Sequence, residues 1–525
     1  MKKTHYRILA LCLSLILLTS LTSGVSLAAG GECGEGVRWD YEDGQLTISG
    51  SGYMYDWSDS GETPWADYNT HITRVSVGDG VISIGSGAFS DLYNLTEISF
   101  GNRLRRIGDM AFSNCIALGG FTLPDSLESV GSFAFASDYS VTKIAIPASV
   151  SHIGYGAFAD MKALTEITVA NGNTHFASDS GALYTSGPAE LITCPAGLTG
   201  SFTMPETVTS IGIYALMGCQ ITSISLPESL RTIGEEAFNV CGNLRQIEIP
   251  RNVQSIGDSA FNECALISIT VADGNRYYSA DDGILYNYSG DRLICYPIGR
   301  DATDFNVPDR VTAINDYAFA YSKLKSVTVG DGVEKIGNYS FAFCEALENL
   351  NIGRGLVSVG DYAFSNCIKL KKVVLPSACE TIATGAFSWC EELESVILNS
   401  PVYIGSSAFY WCTNLKRVEF RSDAPKDVGD DIFYACEDAM IYYPADAKGW
   451  STPTWHGYLT TPMTVSTVEK GDIDGNGEVN NADLVLLARY VVGLGQVNME
   501  AADMDGNGEV DNSDLVTLAR HIVGL

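Results

Sequence analysis

Cations and histidines are scarce in this 525-residue chain: 32 Lys and Arg stand against 63 Asp and Glu, and the formal net charge is −31. Nucleic acid and anionic membrane need clustered Lys and Arg, so both are excluded as partners. Long apolar runs are missing as well. The run from Ile8 to Leu18 is too short to span a bilayer. It follows Lys2, Lys3 and Arg7 and leads into SLAAG, the pattern of a secretory signal, so residues 1–29 are expected to be cleaved near Ala28 or Ala29 and the rest exported. Neither Cys12 nor Cys33 lies in a lipobox-like context. Catalytic signatures are absent too: there is no HExxH, no GxSxG, no Cys-His protease pattern and no short-spaced Cys or His pair for zinc. A pair of carboxylates acting on a glycosidic bond remains open, because Asp and Glu are plentiful.

What the chain does contain is a period. Ala-Phe or a close variant recurs with anchors at Phe89, Phe112, Phe135, Phe158, Leu216, Phe238, Phe261, Phe319, Phe341, Phe364, Phe387, Phe409 and Phe433, at intervals of 22 to 24 residues broken twice by 58. A fixed period of this size means stacked repeats, each burying its apolar face only against its neighbours. Each unit reads as a strand (LTEISF, LRQIEI, LKKVVL), a turn, a second short strand (LRRIG, VQSIG, VEKIG) and the Ala-Phe knob. Alternating apolar and polar residues along both strands predict a parallel ladder.

The pattern Leu-x-x-Ile-x-Leu, turn, Ile-Gly-x-x-Ala-Phe-x-x-Cys resembles the BspA-like bacterial leucine-rich repeat over residues 75–440. That resemblance implies a mainly β solenoid and, by analogy, binding to a protein partner or surface. Residues 30–74 read as an N-terminal β cap, 441–460 as a C-terminal cap and 461–470 as a linker. The two long intervals hold matching insertions near 171–205 and 273–308, expected as hairpins that project from the solenoid and carry contact surface. Outward strand positions such as Thr96, Glu97 and Ser99, or Lys416, Arg417 and Glu419, are polar. Tyr277, Tyr278, Tyr286 and Tyr288 of the second insertion are the exception, and both sugar stacking and hairpin packing are open to them.

Nine of the fourteen cysteines (Cys115, Cys219, Cys241, Cys264, Cys344, Cys367, Cys390, Cys412 and Cys436) fall three residues after an anchor. One position repeated on this scale reads as a ladder of buried, reduced thiols filling small spaces in the core. Distance alone would permit bridges between neighbouring rungs.

Residues 471–525 carry one twelve-residue pattern twice, DIDGNGEVNNAD at 472–483 and DMDGNGEVDNSD at 503–514. Oxygen side chains at loop positions 1, 3, 5, 9 and 12 with Gly at position 6 suit a hard divalent cation. Asp472, Asp474, Asn476, Asn480 and Asp483, with the Glu478 carbonyl, would hold one ion; Asp503, Asp505, Asn507, Asp511 and Asp514, with the Glu509 carbonyl, would hold the other. An amphipathic helix (LVLLARYVV, LVTLARHIV) follows each loop, and position 12 is Asp rather than the Glu of an EF-hand. The segment has ten acidic and two basic side chains, so its folding should depend on metal.

Loop plus exit helix, repeated at an offset of 31 residues, closely resembles a type I dockerin. This implies a small all-α calcium-binding module of two loop-helix motifs that takes two Ca²⁺ and binds a cohesin on a scaffoldin. The resemblance puts the cohesin contacts at Asn481, Ala482, Ala488 and Arg489, or equivalently at Asn512, Ser513, Ala519 and Arg520. The expected protein is a secreted, non-catalytic cellulosomal component in the setting of polysaccharide degradation, its repeats mediating protein binding or adhesion. The competing reading is a carbohydrate-binding module or glycoside hydrolase acting on plant cell-wall polysaccharide.

Overall fold

Two short apolar stripes per repeat can be buried only by stacking, and the backbone does this turn upon turn. The computed structural model describes residues 29–187, 189–463, 470–474, 479–495 and 497–523, so the expected signal and most of segment 461–470 lie outside the described residues. Two compact units divide the chain: Met1–Gly200 with Pro205–Ile221, and Ser201–Met204 with Thr222–Leu525. Each is a parallel-strand solenoid, as the repeat pattern predicts. Among the described residues no helix is long and apolar enough to cross a membrane.

The second unit shows the rung most plainly. Strands Lys372–Leu375, Ser395–Leu398, Arg417–Phe420 and Met440–Pro444 pair in parallel, Val373 opposite Val396 and Val396 opposite Val418. The short Ile-Gly strands form a second ladder, with Ile336, Val359, Ile382, Ile404 and Val428 in one line. Identical residues therefore sit one strand spacing apart, about 4.8 Å. The anchor rings exploit that spacing: Phe319, Phe341, Phe364, Phe387 and Phe409 are fully buried and stack at 4.6, 4.9, 5.1 and 5.3 Å between centroids. Each adjacent pair adds stacking on top of its buried area, of order 1 kcal/mol.

The cysteine ladder does more than fill space. Cys344, Cys367, Cys390, Cys412 and Cys436 each donate the thiol to the backbone carbonyl of an anchor on the preceding rung, at 3.1–3.2 Å. The Phe319, Phe341, Phe364 and Phe409 carbonyls also accept the N–H three residues on, so the small side chain adds a second, weak S–H donor inside the core. All described cysteines are free thiols. In the first unit Asp138 occupies the ladder position. Its Oδ1 accepts the Cys115 N–H at 2.8 Å, its Oδ2 has no partner among the described residues, and burial pushes its carboxyl well above the usual range.

A left-handed residue two positions after each anchor turns the chain. Phe343, Asn366, Trp389 and Trp411 have φ of 58°, 60°, 59° and 58°. In this conformation their N–H groups reach the next rung, at Ser365, Ser388, Tyr410 and Tyr434 carbonyls respectively. The ladder, not the side chain, imposes the φ.

Both units begin or end in closing elements. In the first, β1 (Ala29–Glu42) and β2 (Gln45–Met54) form a hairpin turning at Asp43 and Gly44, both at positive φ, and β2 then pairs in parallel with the strands Arg74–Val77 and Val81–Ile84. Trp65, fully buried, carries the ring column on to Phe89 at 5.5 Å. In the second, Tyr458–Met463 pairs in parallel with Met440–Pro444.

The insertions are not projecting hairpins. In the second unit Tyr278–Asp281, Ile284–Asn287 and Arg292–Cys295 form an antiparallel meander whose last strand pairs in parallel with Ala313–Ile314, and so takes the place of a rung. The first unit repeats this with Phe176–Asp179, Ala182–Thr185, Glu190–Thr193 and Ser210–Ile211. Leu285 and Tyr286, like Leu183 and Tyr184, are buried because the middle strand lies on the core. Asn275 pins the entry: its amide donates to the Pro250 and Val253 carbonyls while its Oδ1 accepts the Tyr277 and Tyr278 N–H groups. Asn173 does the same in the first unit.

Burial pushes the thiols of Cys33 and Cys379 up to about 12. At pH 8 the native protein should therefore show no fast reaction of these thiols with a disulfide reagent such as DTNB, and full reaction after unfolding in guanidinium. A second outcome concerns Asp138. Because its folded pKa is raised, the unfolded chain releases the proton first, and stability falls as pH rises from the ordinary carboxylate value towards the raised one. Asp138→Cys, the residue this chain uses elsewhere in the ladder, should raise the thermal midpoint at pH 7, with the gain shrinking as the pH approaches 4.

Candidate metal centre

The two acidic loops fold around their last carboxylate. Asp483 is fully buried; its Oδ1 accepts the N–H groups of Ile473 (2.7 Å) and Asp474 (3.1 Å), and its Oδ2 accepts that of Asn480 (2.9 Å). Asp514, also fully buried, repeats this with Asp505 (3.1 Å) and Asp511 (2.9 Å). Each is also the third residue of the helix that follows: α1 (Asn481–Val491) is capped by Asn480, and α3 (Asn512–Ile522) by Asp511, both in reciprocal capping boxes. Loop and helix are thus one cooperative element, since the same carboxylate closes the loop and caps the helix. Between them lies α2 (Met499–Ala502), and Leu487, Leu518, Ala501 and Ala502 form the small core.

This arrangement gathers negative charge. Carboxylate oxygens of Asp472, Asp474 and Asp483 lie within 4.8 Å of one another, as do those of Asp503, Asp505 and Asp514. Four of the six residues are buried. Burial, with the charges of Asp505 and Asp503 adding to it, holds the Asp514 carboxyl above its ordinary range despite the N–H bonds it accepts. Such a cluster is tolerable only with a countercharge at its centre, and all-oxygen donors fit a hard divalent cation. In the second loop, Asp503 also accepts the Gly506 and Gly508 N–H groups (2.8 and 2.9 Å), while Asn507 Oδ1 accepts that of Glu509 (2.7 Å). Gly508 turns at φ +88°. Cations of the repeat face lie against this loop: Arg354 meets Asp505 at 3.1 Å, Lys372 donates to the Gly508 carbonyl at 3.0 Å, and Arg421 donates to that of Gly506.

Of the expected ligands, Asn476 and Glu478 lie outside the described residues. Asn480 and Asp511 cap the helices through side-chain oxygens that accept the Ala482 and Ser513 N–H groups. Among the expected partner contacts, Asn481, Ala482 and Arg489 are exposed and Ala488 half-buried on α1; Asn512 and Arg520 are exposed and Ser513 and Ala519 half-buried on α3. Ser513 Oγ also donates to Asp505 Oδ2 at 2.8 Å, coupling that face to the loop.

Two features escape a reading of outward strand positions alone. Tyr286 is buried and the Tyr278 hydroxyl accepts the Ile256 N–H at 2.8 Å, which leaves Tyr277 and Tyr288 as the exposed insertion tyrosines. The exposed aromatics instead sit on the turns around the anchors. Phe343, Trp389 and Trp411 are 39, 37 and 37% exposed, and Tyr321–Phe343 and Trp389–Trp411 stack at 4.9 and 4.7 Å. The signal is available in the sequence: two residues after an anchor the chain writes Asp91, Asn114, Ser137, Asp160 and Gly218 in the first unit, whereas the second sets Tyr321, Phe343, Trp389 and Trp411 among Val240, Glu263, Asn366 and Ala435.

Comparison with known families matches residues 66–182, 197–281 and 303–442 to the BspA type leucine rich repeat region, in 6 copies, and residues 470–523 to the dockerin type I domain. No curated protein matches. Among solved structures, a leucine-rich repeat protein from Eubacterium ventriosum is 24% identical with TM-score 0.46, covering 69% of this chain and 95% of its own. A leucine rich cell surface protein from Faecalibacterium prausnitzii is 26% identical with TM-score 0.41, covering 76% and 96%. A leucine-rich repeat protein from Bacteroides ovatus is 20% identical with TM-score 0.33, covering 82% and 100%.

Chelation of the full chain with EGTA should abolish the far-ultraviolet helical signal of α1 and α3 and leave the β signal of the repeats in place. Asp514→Asn should weaken calcium binding tenfold or more at one of two sites, about 1.4 kcal/mol, by isothermal titration calorimetry. Unchanged calcium heats would refute the assignment of the loops.

Proposed function

Since the chain belongs to the BspA-type leucine-rich repeat family and ends in a type I dockerin domain, we propose that it is an exported, non-catalytic adaptor of a cellulosome-type assembly. A type I dockerin implies cohesin binding, and leucine-rich repeats point to protein binding; neither module is catalytic. In this reading each loop takes one Ca²⁺, through Asp472, Asp474, Asn476, Asn480 and Asp483 or through Asp503, Asp505, Asn507, Asp511 and Asp514, with the Glu478 or Glu509 carbonyl. The scaffoldin cohesin then docks on Asn481, Ala482, Ala488 and Arg489 or on Asn512, Ser513, Ala519 and Arg520. The repeats mediate protein binding or adhesion in the setting of polysaccharide breakdown.

The observation that carries this is the near-identity of the two loop-helix elements. In each, a buried position-12 Asp closes the loop and caps a helix bearing the same small and basic residues at the same places. Metal binding orders the loop, the loop fixes the helix start, and the helix presents the contact face. Calcium and partner affinity are then linked through one element.

The test is native gel electrophoresis of the full chain against a panel of type I cohesins with calcium or with EGTA. A complex should form only with calcium. Arg489→Ala or Arg520→Ala alone should be tolerated, because the other face remains, while the double substitution should weaken the complex tenfold or more. Complex formation in EGTA, or none with any cohesin, would overturn the proposal.

A further inference from the structure

The turn aromatics of the second unit occupy backbone positions that favour other residues. At φ of 58–63°, Tyr321, Phe343, Trp389 and Trp411 hold a left-handed conformation that Asn and Asp adopt readily and bulky side chains resist. The chain itself writes Asp, Asn, Ser or Gly there in the first unit. Val240, Glu263 and Ala435 hold the same conformation without a ring, so what points to a use is the gathering of four large rings on neighbouring turns outside the buried column, three of them exposed.

Their spacing shows what that use is. Adjacent rings stack at 4.7–4.9 Å, so their facing surfaces are occupied by one another. The exception is the rung of Asn366. The backbone ladder passes through it unbroken, Phe343 N–H to Ser365, Asn366 N–H to Ser388 and Trp389 N–H to Tyr410, at 2.7–2.9 Å. Phe343 and Trp389 therefore stand two strand spacings apart, about 9.6 Å. Register puts the shorter Asn366 side chain, whose amide donates to Ser365 Oγ at 3.0 Å, where a ring would otherwise continue the stack, which leaves a slot beyond it between the two aromatic side chains.

We propose that this slot is a binding subsite for one pyranose ring of a neutral polysaccharide. A ring seated midway lies near 4.8 Å from each wall, the separation the chain's own stacked rings adopt. A pyranose offers C–H faces to both walls and hydroxyls at its rim to the Asn366 amide. An aromatic side chain of a protein partner would satisfy the walls but leave the remaining amide atoms unpaired, a costly arrangement once buried. Charge narrows the class further. Exposed Glu345 and Glu391 follow the two wall residues on their turns, and the whole chain carries −31, so uronate polymers are disfavoured.

The experiment uses the calcium-loaded full chain in affinity electrophoresis through gels containing hydroxyethylcellulose, galactomannan, xylan or polygalacturonate. Retardation by at least one neutral polymer and none by polygalacturonate is expected. Trp389→Ala and Phe343→Ala should each weaken retention tenfold or more. Asn366→Trp fills the slot with a residue that positions 389 and 411 already accept, and should remove retention while leaving the thermal midpoint and cohesin binding unchanged. The Tyr277→Ala/Tyr288→Ala double variant should bind as the parent does. No retardation by any neutral polymer, or retention undiminished in both Trp389→Ala and Asn366→Trp, overturns the proposal, including the case in which the repeats bind only protein. Cohesin binding scored on the same samples separates that failure from a failure of the adaptor reading.

Discussion

Every part of the repeat region depends on in-register parallel pairing of one turn with the next. Register at about 4.8 Å places like on like, and that rule rewards some side chains and penalises others. Phenyl rings gain from it, as in the column from Phe319 to Phe409. Thiols gain too, because each reaches back to a carbonyl of the preceding rung. Buried carboxylates lose, which is why Asp138 is an exception within its ladder and carries a raised pKa.

The terminal module obeys a different constraint. It has a core of a few residues around Leu487 and Leu518 and cannot rely on apolar burial as the repeats do. Its order comes from electrostatics: buried acids that organise loops, cap helices and call for a cation. The chain thus couples a scaffold held by apolar stacking with a tail organised around buried carboxylates.

Much of this was legible in the sequence. The anchors and the Ile-Gly strands announced the two ladders, because spacing and alternation survive any change of detail. The acidic loops and their exit helices are legible because their pattern is local. Composition alone places the insertions outside the solenoid, since nothing in it reveals that Arg292–Cys295 pairs in parallel with Ala313–Ile314, a long-range register. The thiol role was half visible: the position was clear, the carbonyl it serves was not. The turn aromatics escape strand alternation, which says nothing about residues in left-handed turns, where Trp389 and Trp411 lie.

The spacing between anchors varies from 22 to 24 residues, yet the buried column stays in line. The turns absorb the difference, so length variation within a repeat is invisible to the core, whereas the core fixes how any new repeat must join. A gene encoding such a chain can gain or lose whole turns by duplication or deletion and still yield a folded product. Its reach, measured in turns, is then an inheritable quantity that changes independently of the chemistry at its end.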